Sequence, residues 1–359
     1  MISLKIYRNI YLSVLIFVFS VVVFCCTLFN FELGKVSNDD TLIPVTIEKG
    51  SVSDIAKTLK DKDLIKNELF FQIYVRLTGK TNLMAADYEL SKNMGVRKIV
   101  DILSSKDGAK STSVSITFPE GINMRKVATI IANNTNNKEE DVFNLLDDSS
   151  YINDLIDKYW FLTSDIEKDG IYYPLEGYLF PNTYSLKSKD VSVEEIFKIL
   201  LDETSKQLNK YKSEIENNKL SVHEILTLAS MVELEAVTDD DRNGVASVFL
   251  NRLSNDMSLG SDVTTYYAAK IDMGERDLYK SEISDCNDYN TRCSTFKKLP
   301  IGPISNPSIS AIKAVIEPID SDYYYFVADK DKKVYFSKTS AEQSNIIAKL
   351  KKEGKWYEY

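Results

Sequence analysis

The sequence predicts an α+β protein carried on an N-terminal transmembrane helix, and three observations predict it. An uncharged apolar run opens the chain, a strand-turn-helix pattern occurs twice in the first half, and from Val191 onward helical periodicity dominates, interrupted by one hairpin. The expected division is a short cytoplasmic N-terminus (1–9), an apolar helix (10–31), two small α+β units (43–112 and 113–190) and a mainly helical domain (191–359).

The first element is the simplest to justify. Ile10 to Phe31 is 22 residues without a charge, rich in Val, Leu, Ile and Phe, and long enough to cross a bilayer core. Lys5 and Arg8 precede it, while Glu32, Asp39 and Asp40 follow, so the positive-inside rule places residues 1–9 in the cytoplasm and the rest outside. The expected location is thus the cell membrane, crossed once. A cleaved signal peptide is the alternative, although no small-x-small site closes the run. Cys25 and Cys26 lie within it after Val-Phe and read as apolar residues rather than lipid-attachment sites. Outside the run stand Cys286 and Cys293. In an oxidising compartment a disulfide across their short loop and a pair of free thiols are both open, because spacing does not set the geometry.

Glu32 to Leu42 reads as a polar stem. Val45 to Gly50 (V-T-I-E-K-G) reads as a strand and turn, with Ser51 and Asp54 capping a helix through Leu59. Asn67 opens a second helix whose Leu69, Phe70, Ile73, Tyr74 and Leu77 keep one face, and Gly79 stops it. Ala86–Leu90 returns as a strand and Val96–Ser104 as an amphipathic helix. About 71 residues after the first beginning it recurs as I-T-F-P-E-G at Ile116–Gly121, followed by M-R-K-V-A-T-I-I. Both copies are expected to close on a tyrosine strand, Asp87-Tyr88 in the first and Gly177-Tyr178 in the second, so the two units read as a degenerate duplication.

In the last domain, helices are expected at Val193–Lys210, Ser221–Val237, Arg242–Leu253 and Ala341–Lys351. Ser261 and Asp262 are expected in a loop. Tyr323–Ala328 and Lys333–Phe336 alternate as a hairpin around D-K-D-K. The stretch S-V-H-E-I-L-T-L-A-S-M-V-E-L-E-A-V at Ser221–Val237 organises the rest. Ser221 and Glu224 have capping-box spacing, and apolar residues then occupy nearly every face, the pattern of a buried helix. Two carboxylates, Glu233 and Glu235, are set into it. Burial would raise a carboxyl pKa toward the range of a general acid near neutrality. The alternative is a frayed, solvated helix end, since Asp239, Asp240 and Asp241 follow at once. Residues two apart on a helix point about 200° from each other, so the two glutamates cannot flank one bond, and local sequence does not choose between them.

Other chemistries are poorly supported. A net charge of −9 argues against a nucleic-acid partner. The single histidine, His223, cannot build a metal site with two cysteines in the apolar run, so neither a metal nor another cofactor is expected. No G-x-S-x-G or phosphate-cradling glycine loop occurs, and His223 reads as a packing residue. Carboxylate chemistry remains.

Five motifs stand in order between Ala229 and Pro307: A-S-M-V-E-L-E-A, D-R-N-G-V-A-S-V-F-L-N-R-L, S-D-V-T-T-Y-Y, Y-N-T and L-P-I-G-P-I-S-N-P. Together they resemble the signature of the endolytic murein transglycosylases, the YceG-like proteins. E-G-Y-L-F-P-N-T-Y at Glu176–Tyr184 is similar to a further family motif, with Asn182 where Asp is usual. The resemblance implies a LysM-like first unit and a lytic-transglycosylase-like helical domain. For the α+β units, glycan binding and a plain spacer role are both open. It implies cleavage of the MurNAc–GlcNAc bond of nascent glycan strands to leave 1,6-anhydroMurNAc ends, terminating elongation beside peptidoglycan synthases. A hydrolytic glycosidase needs two carboxylates, whereas a lytic transglycosylase needs one, because the sugar's 6-hydroxyl is the nucleophile. Of the two glutamates, the resemblance selects Glu235 as the acid, with Ala236 where Ser or Thr usually follows. It assigns Glu233, Asn251, Arg252, Asp262, Thr264, Asn290, Gly302, Pro303 and Asn306 to substrate binding or support. Each also has a structural reading, such as capping or turn formation. Gly260 and Val263 replace the usual Gln and Pro, and Gln343-Ser344 the usual His-Asn. The competing readings are a non-catalytic wall-binding or scaffolding protein, and a hydrolase in which Glu235 acts with water.

Overall fold

A computed structural model describes residues 2–105 and 114–356, and the chain forms two compact units, 1–112 and 113–359. The expected boundary between residues 112 and 113 lies outside the described residues, as does Tyr359.

Helix α1 runs Ile2–Glu32, so it takes in most of the expected N-terminal segment as well as the apolar run. Its large apolar side chains from Tyr11 to Phe24 are exposed. Three of its polar side chains bond back to the helix: Ser20 Oγ donates to Ile16 O (2.8 Å), Thr27 Oγ1 to Phe24 O (2.8 Å) and Asn30 Nδ2 to Cys26 O (2.9 Å). A helix in hydrocarbon has no other partner for such groups.

The rest of the first unit comprises β1 (Ile43–Ile47), α2 (Val52–Asp61), α3 (Glu68–Thr78), β2 (Ala86–Leu90) and α4 (Val96–Ser104). Its boundaries follow from caps read in the sequence. Ser51 and Asp54 form a capping box, Asn67 accepts from the first turn of α3, and Gly79 ends that helix at φ +68°, a conformation glycine adopts without a Cβ penalty. β1 and β2 pair antiparallel with Val45 opposite Tyr88. Alternation turns Val45, Ile47, Tyr88 and Leu90 onto a core shared with Ile55, Leu59, Phe71 and Ile99.

The second unit begins with the repeat of that plan: β3 (Val114–Phe118), α5 (Met124–Asn134), α6 (Glu139–Leu146), α7 (Ser149–Lys158) and β4 (Asn182–Leu186). Here one expectation is corrected. The closing strand is Asn182–Leu186 rather than Gly177-Tyr178, and Tyr184 stands opposite Ile116 as Tyr88 stands opposite Val45. The equivalence extends to side chains, since Tyr88 OH donates to Met84 O (2.8 Å) and Tyr184 OH to Phe180 O (2.6 Å), each four residues back. Gly177 cannot be a strand residue for a local reason. Its φ is +82°, and a Cβ there would sit 2.3 Å from Cβ of Pro303, so the chain turns tightly against that proline.

The unit continues with α8 (Val193–Leu208), α9 (Lys212–Glu216), α10 (Val222–Glu235), α11 (Asp239–Ser254), α12 (Asp262–Ala268), α13 (Lys280–Ser284), α14 (Ile309–Ile316), the hairpin β5 (Tyr325–Ala328) and β6 (Val334–Ser337), and α15 (Ser340–Lys352). Helix α10 is the central rod, with Ile225, Leu226, Leu228, Ala229, Met231 and Val232 all buried. Helix α11 starts earlier than the periodicity suggests: Thr238 caps it and the three aspartates fill its first turn, where negative charge suits the helix dipole. Asp262 is also corrected, from loop to first residue of α12. The β-branched and aromatic stretch V-T-T-Y-Y is a poor helix former, and it is helical because Val263, Thr264, Thr265 and Tyr267 are packed into the interior.

Candidate active site

The capping box of Ser221 and Glu224 sets the start of α10, and Ala236 ends it in extended conformation (φ −136°, ψ 143°). That leaves Glu233 and Glu235 in the last turn, on different sides, as the helical period requires. Glu235 Oε1 accepts a hydrogen bond from Ser261 Oγ at 2.5 Å. Burial of its carboxyl pushes the pKa up to about 7. The Ser261 hydroxyl opposes that rise, nearby Asp262 adds to it, and Arg252 and Arg292 oppose it. Here then is a carboxyl that holds its proton near neutrality and faces both cations and an anion.

Glu233 is occupied differently. Its Oε1 receives Arg242 Nη2 at 2.8 Å, and its Oε2 receives Ser308 N at 2.9 Å together with the Ser308 hydroxyl. The pair is nearly shut off from solvent, with side-chain exposures of 6% for Glu233 and 11% for Arg242. Arg242 also reaches Asp239 (3.2 Å) and, at 4.0 Å, Glu120 in the turn after β3. Glu233 therefore ties α10 to α11 and to Ser308, the N-cap of α14.

The remaining sequence candidates mostly hold the framework around Glu235. Asn251 Nδ2 donates to Ser321 O (2.8 Å) and Tyr323 O (3.0 Å). Arg252 Nε donates to Tyr324 O (2.7 Å) and Nη1 to Leu259 O (2.6 Å), with the guanidinium 5.3 Å from the Tyr325 ring. Asp262, half exposed, pairs with Arg292 at 3.2 Å. Thr264 is fully buried and donates to Ser261 O (2.7 Å). Asn290, also fully buried, donates to three carbonyls, of Glu282, Ile283 and Asp285, and accepts from Thr265 Oγ1 (2.7 Å). The segment from Gly302 to Asn306 stitches α10 to the turn after β3. Ile304 N donates to Ser230 Oγ (3.0 Å), Asn306 Nδ2 to Ile122 O (3.1 Å), and Asn306 Oδ1 accepts from Leu179 N (2.9 Å). A Cβ at Gly302 would lie 2.7 Å from Ile171 Cδ1, so that side chain would have to shift, and Pro303 packs on Gly177. Gln343 donates to Phe326 O (2.9 Å) and so holds α15 to the hairpin.

Several contacts of the site carried no local sequence signal. Ser261 lies in a noted motif, but its contact with Glu235 spans 26 residues. Thr291 backs it: Ser261 N donates to Thr291 Oγ1 (3.0 Å), Gly260 N to Thr291 O (3.0 Å) and Ser258 Oγ to Thr291 O (2.6 Å). Cys286 and Cys293 are disulfide-bonded and close the loop bearing Asn290, Thr291 and Arg292. Arg242 and Ser308 have no local mark as partners of Glu233. Glu176, from the motif Glu176–Tyr184, is a further buried acid at 2% exposure, raised by burial to about 7. Its Oε2 accepts from Met124 N (2.9 Å) and Tyr267 OH (3.0 Å), joining the start of α5 to α12. His223 is enclosed: Nε2 donates to Ile301 O (2.7 Å), which leaves Nδ1 to accept from Tyr178 OH (2.7 Å), so it is committed to packing.

The chain was compared with known proteins. The model of the YceG-like family matches residues 45–349. A Bacillus subtilis (strain 168) protein named endolytic murein transglycosylase is 40% identical over 86% of this chain and 85% of its own length. A Streptococcus pneumoniae (strain D39) protein of the same name is 30% identical over 87% of this chain and 59% of its own length. Among solved structures, the crystal structure of a yceG-like protein from Listeria monocytogenes is 37% identical, with a TM-score of 0.61, covering 85% of this chain and 99% of that one. A match across most of the two units and relatives of this identity show that the chain belongs to the YceG-like family.

Proposed function

We propose that this chain is an endolytic peptidoglycan lytic transglycosylase, anchored in the cell membrane by α1, with its two folded units outside. The relatives' name supports the activity, and one observation carries the assignment of the acid: a carboxyl raised to about 7, on the end of a buried helix, held by a single hydroxyl. In this reading Glu235 donates its proton to the glycosidic oxygen between MurNAc and GlcNAc as that bond breaks. The carboxylate left behind then takes the proton of the MurNAc 6-hydroxyl, whose oxygen closes on C1, and the product is a 1,6-anhydro end. No water is consumed, and the enzyme ends in its starting protonation state. Glu233 is excluded as the acid in this scheme because both its oxygens are engaged.

Ser261 orients the carboxyl, and Arg252 and Arg292 face it as the charge develops. Asn251, Thr264, Asn290, Gly302, Pro303 and Asn306 act by positioning. Asp262 and Arg292, partly exposed, are the groups we assign to the glycan. The finer division at 112 and 190, the LysM-like reading of β1–α2–α3–β2 and a partnership with the wall synthases belong to the same proposal. Digestion of uncrosslinked glycan strands followed by mass spectrometry tests it. Anhydro-muramyl ends support the reading, reducing ends support a hydrolase, and intact strands retained on the protein support a scaffold.

A further inference from the structure

Helix α1 does not end in a linker. Leu33, one residue past its end, is 3% exposed within the core of the first unit, and its carbonyl accepts from Val96 N (3.0 Å). Val36 N and Ser37 N both donate to Lys92 O (3.0 and 3.1 Å). The last turn of the helix is gripped from the side. The Phe29 ring lies 5.9 Å from that of Phe70, Arg97 donates to Asn30 Oδ1, and Lys66 Nζ sits 3.7 Å over the Phe31 ring while donating to Phe31 O at 3.0 Å. A cation placed there also suits the negative end of a helix dipole. The helix end is thus built into the fold through four residues, Phe29, Asn30, Phe31 and Leu33.

This graft fixes a depth. The apolar span Tyr11–Glu32 is 22 residues, about 33 Å at 1.5 Å per residue, against a hydrocarbon core of about 30 Å. Phe29 to Phe31 therefore fall at the outer edge of the hydrocarbon, and whatever touches them sideways lies at the same level. What touches them is apolar and cationic: Phe70, Lys66 and Arg97, with Leu69 beside Phe70 and 61% exposed, and Phe31 itself 64% exposed. Aromatic and aliphatic side chains flanked by basic ones are the composition that settles at the boundary between headgroups and acyl chains.

We propose that this face of the first unit, made by Lys66, Leu69, Phe70 and Arg97, docks on the phospholipid surface. Leu69 and Phe70 enter the upper acyl region, and Lys66 and Arg97 stand at the level of the lipid phosphates. The inference rests on the reading of α1 as a membrane anchor, and the experiment separates the two. The full chain, with Cys25 and Cys26 replaced by alanine, is reconstituted into vesicles of phosphatidylcholine and phosphatidylglycerol. An environment-sensitive fluorophore is attached at Leu69→Cys in one preparation and at Leu15→Cys in another. Both positions are exposed, so labelling leaves the fold intact. The Leu15 probe should be quenched by lipids spin-labelled deep in the acyl chain. The Leu69 probe should be blue-shifted, quenched severalfold more by lipids labelled near the headgroup than by deep ones, and protected from aqueous iodide. A Leu15 probe in hydrocarbon with a Leu69 probe open to iodide overturns the docking and leaves the anchor standing. A Leu15 probe open to iodide overturns both.

Discussion

At the scale of single residues the two glutamates of α10 separate cleanly. Glu235→Gln keeps shape and hydrogen-bonding capacity but has no acidic proton, so formation of anhydro ends should fall by about 10²-fold or more while the thermal midpoint holds. Glu233→Ala should do the reverse in kind. Removing one partner of a buried ion pair costs about 3–5 kcal/mol, so denaturant unfolding should show a large loss of stability. Near-normal turnover by Glu235→Gln would reverse the assignment. Ser261→Ala probes orientation. The hydroxyl stabilises the charged form of Glu235, so without it the pKa rises further and the acid stays protonated to higher pH. The descending limb of the rate profile, expected near pH 7 in the native chain, should therefore move toward alkaline pH, with kcat lowered and KM little changed. A Ser261→Ala profile that keeps its limb would mean the serine serves only the fold.

At the scale of elements, the Glu235 carboxyl is held by a relay from outside its own helix. The loop closed by Cys286 and Cys293 presents Thr291, Thr291 fixes Ser261, and Ser261 meets Glu235. Reduction should loosen that loop and lower turnover more than it lowers the melting temperature of the unit, because the buried core around α10 does not depend on the bond. Alkylation of non-reduced protein should label Cys25 and Cys26 and no others; two further thiols would refute the bridge. The repeated β-strand plan argues at this scale too. Tyr88 and Tyr184 occupy the same register position and make the same bond four residues back. The duplication was legible at its beginning, where V-T-I-E-K-G and I-T-F-P-E-G stand alike. Its end is not legible locally, because α6, α7 and the following loop delay the second closing strand to Asn182.

For the whole molecule, two desolvated carboxyls, one on the buried Glu176 and one on the part-buried Glu235, couple folding to pH. Glu176 and Glu235 are each raised from 4.5 to about 7. Between those values the folded chain binds more protons at these two groups than the unfolded one, so their contribution to stability is fully present below pH 4.5 and is lost as pH rises through about 7. Chemical denaturation across that window should show the decline, and Glu176→Gln should make it shallower; an unchanged slope would mean that Glu176 does not titrate there. Topology is the other property of the whole chain. With Lys5 and Arg8 before the span and acids after it, a reporter fused behind Tyr359 should be active only outside the cytoplasm. Cytoplasmic activity would sink the proposed orientation.

Sequence alone determined what depends on neighbours along the chain. The apolar span, the caps at Ser51, Asn67 and Ser221, the stop at Gly79, the hairpin and the all-round burial of α10 each follow from local periodicity and local hydrogen bonding. It also placed two glutamates about 200° apart, which forbids their sharing a task. Which one is buried without an ionic partner was beyond local reach, since both have apolar neighbours. Tertiary structure decided it by bringing Arg242 and Ser308 to Glu233, and Ser261 to Glu235, across 9, 75 and 26 residues respectively. The physical reason is that a carboxyl's proton affinity is set by the dielectric and charges within a few ångströms of it, and those arrive from other elements only when the chain has folded.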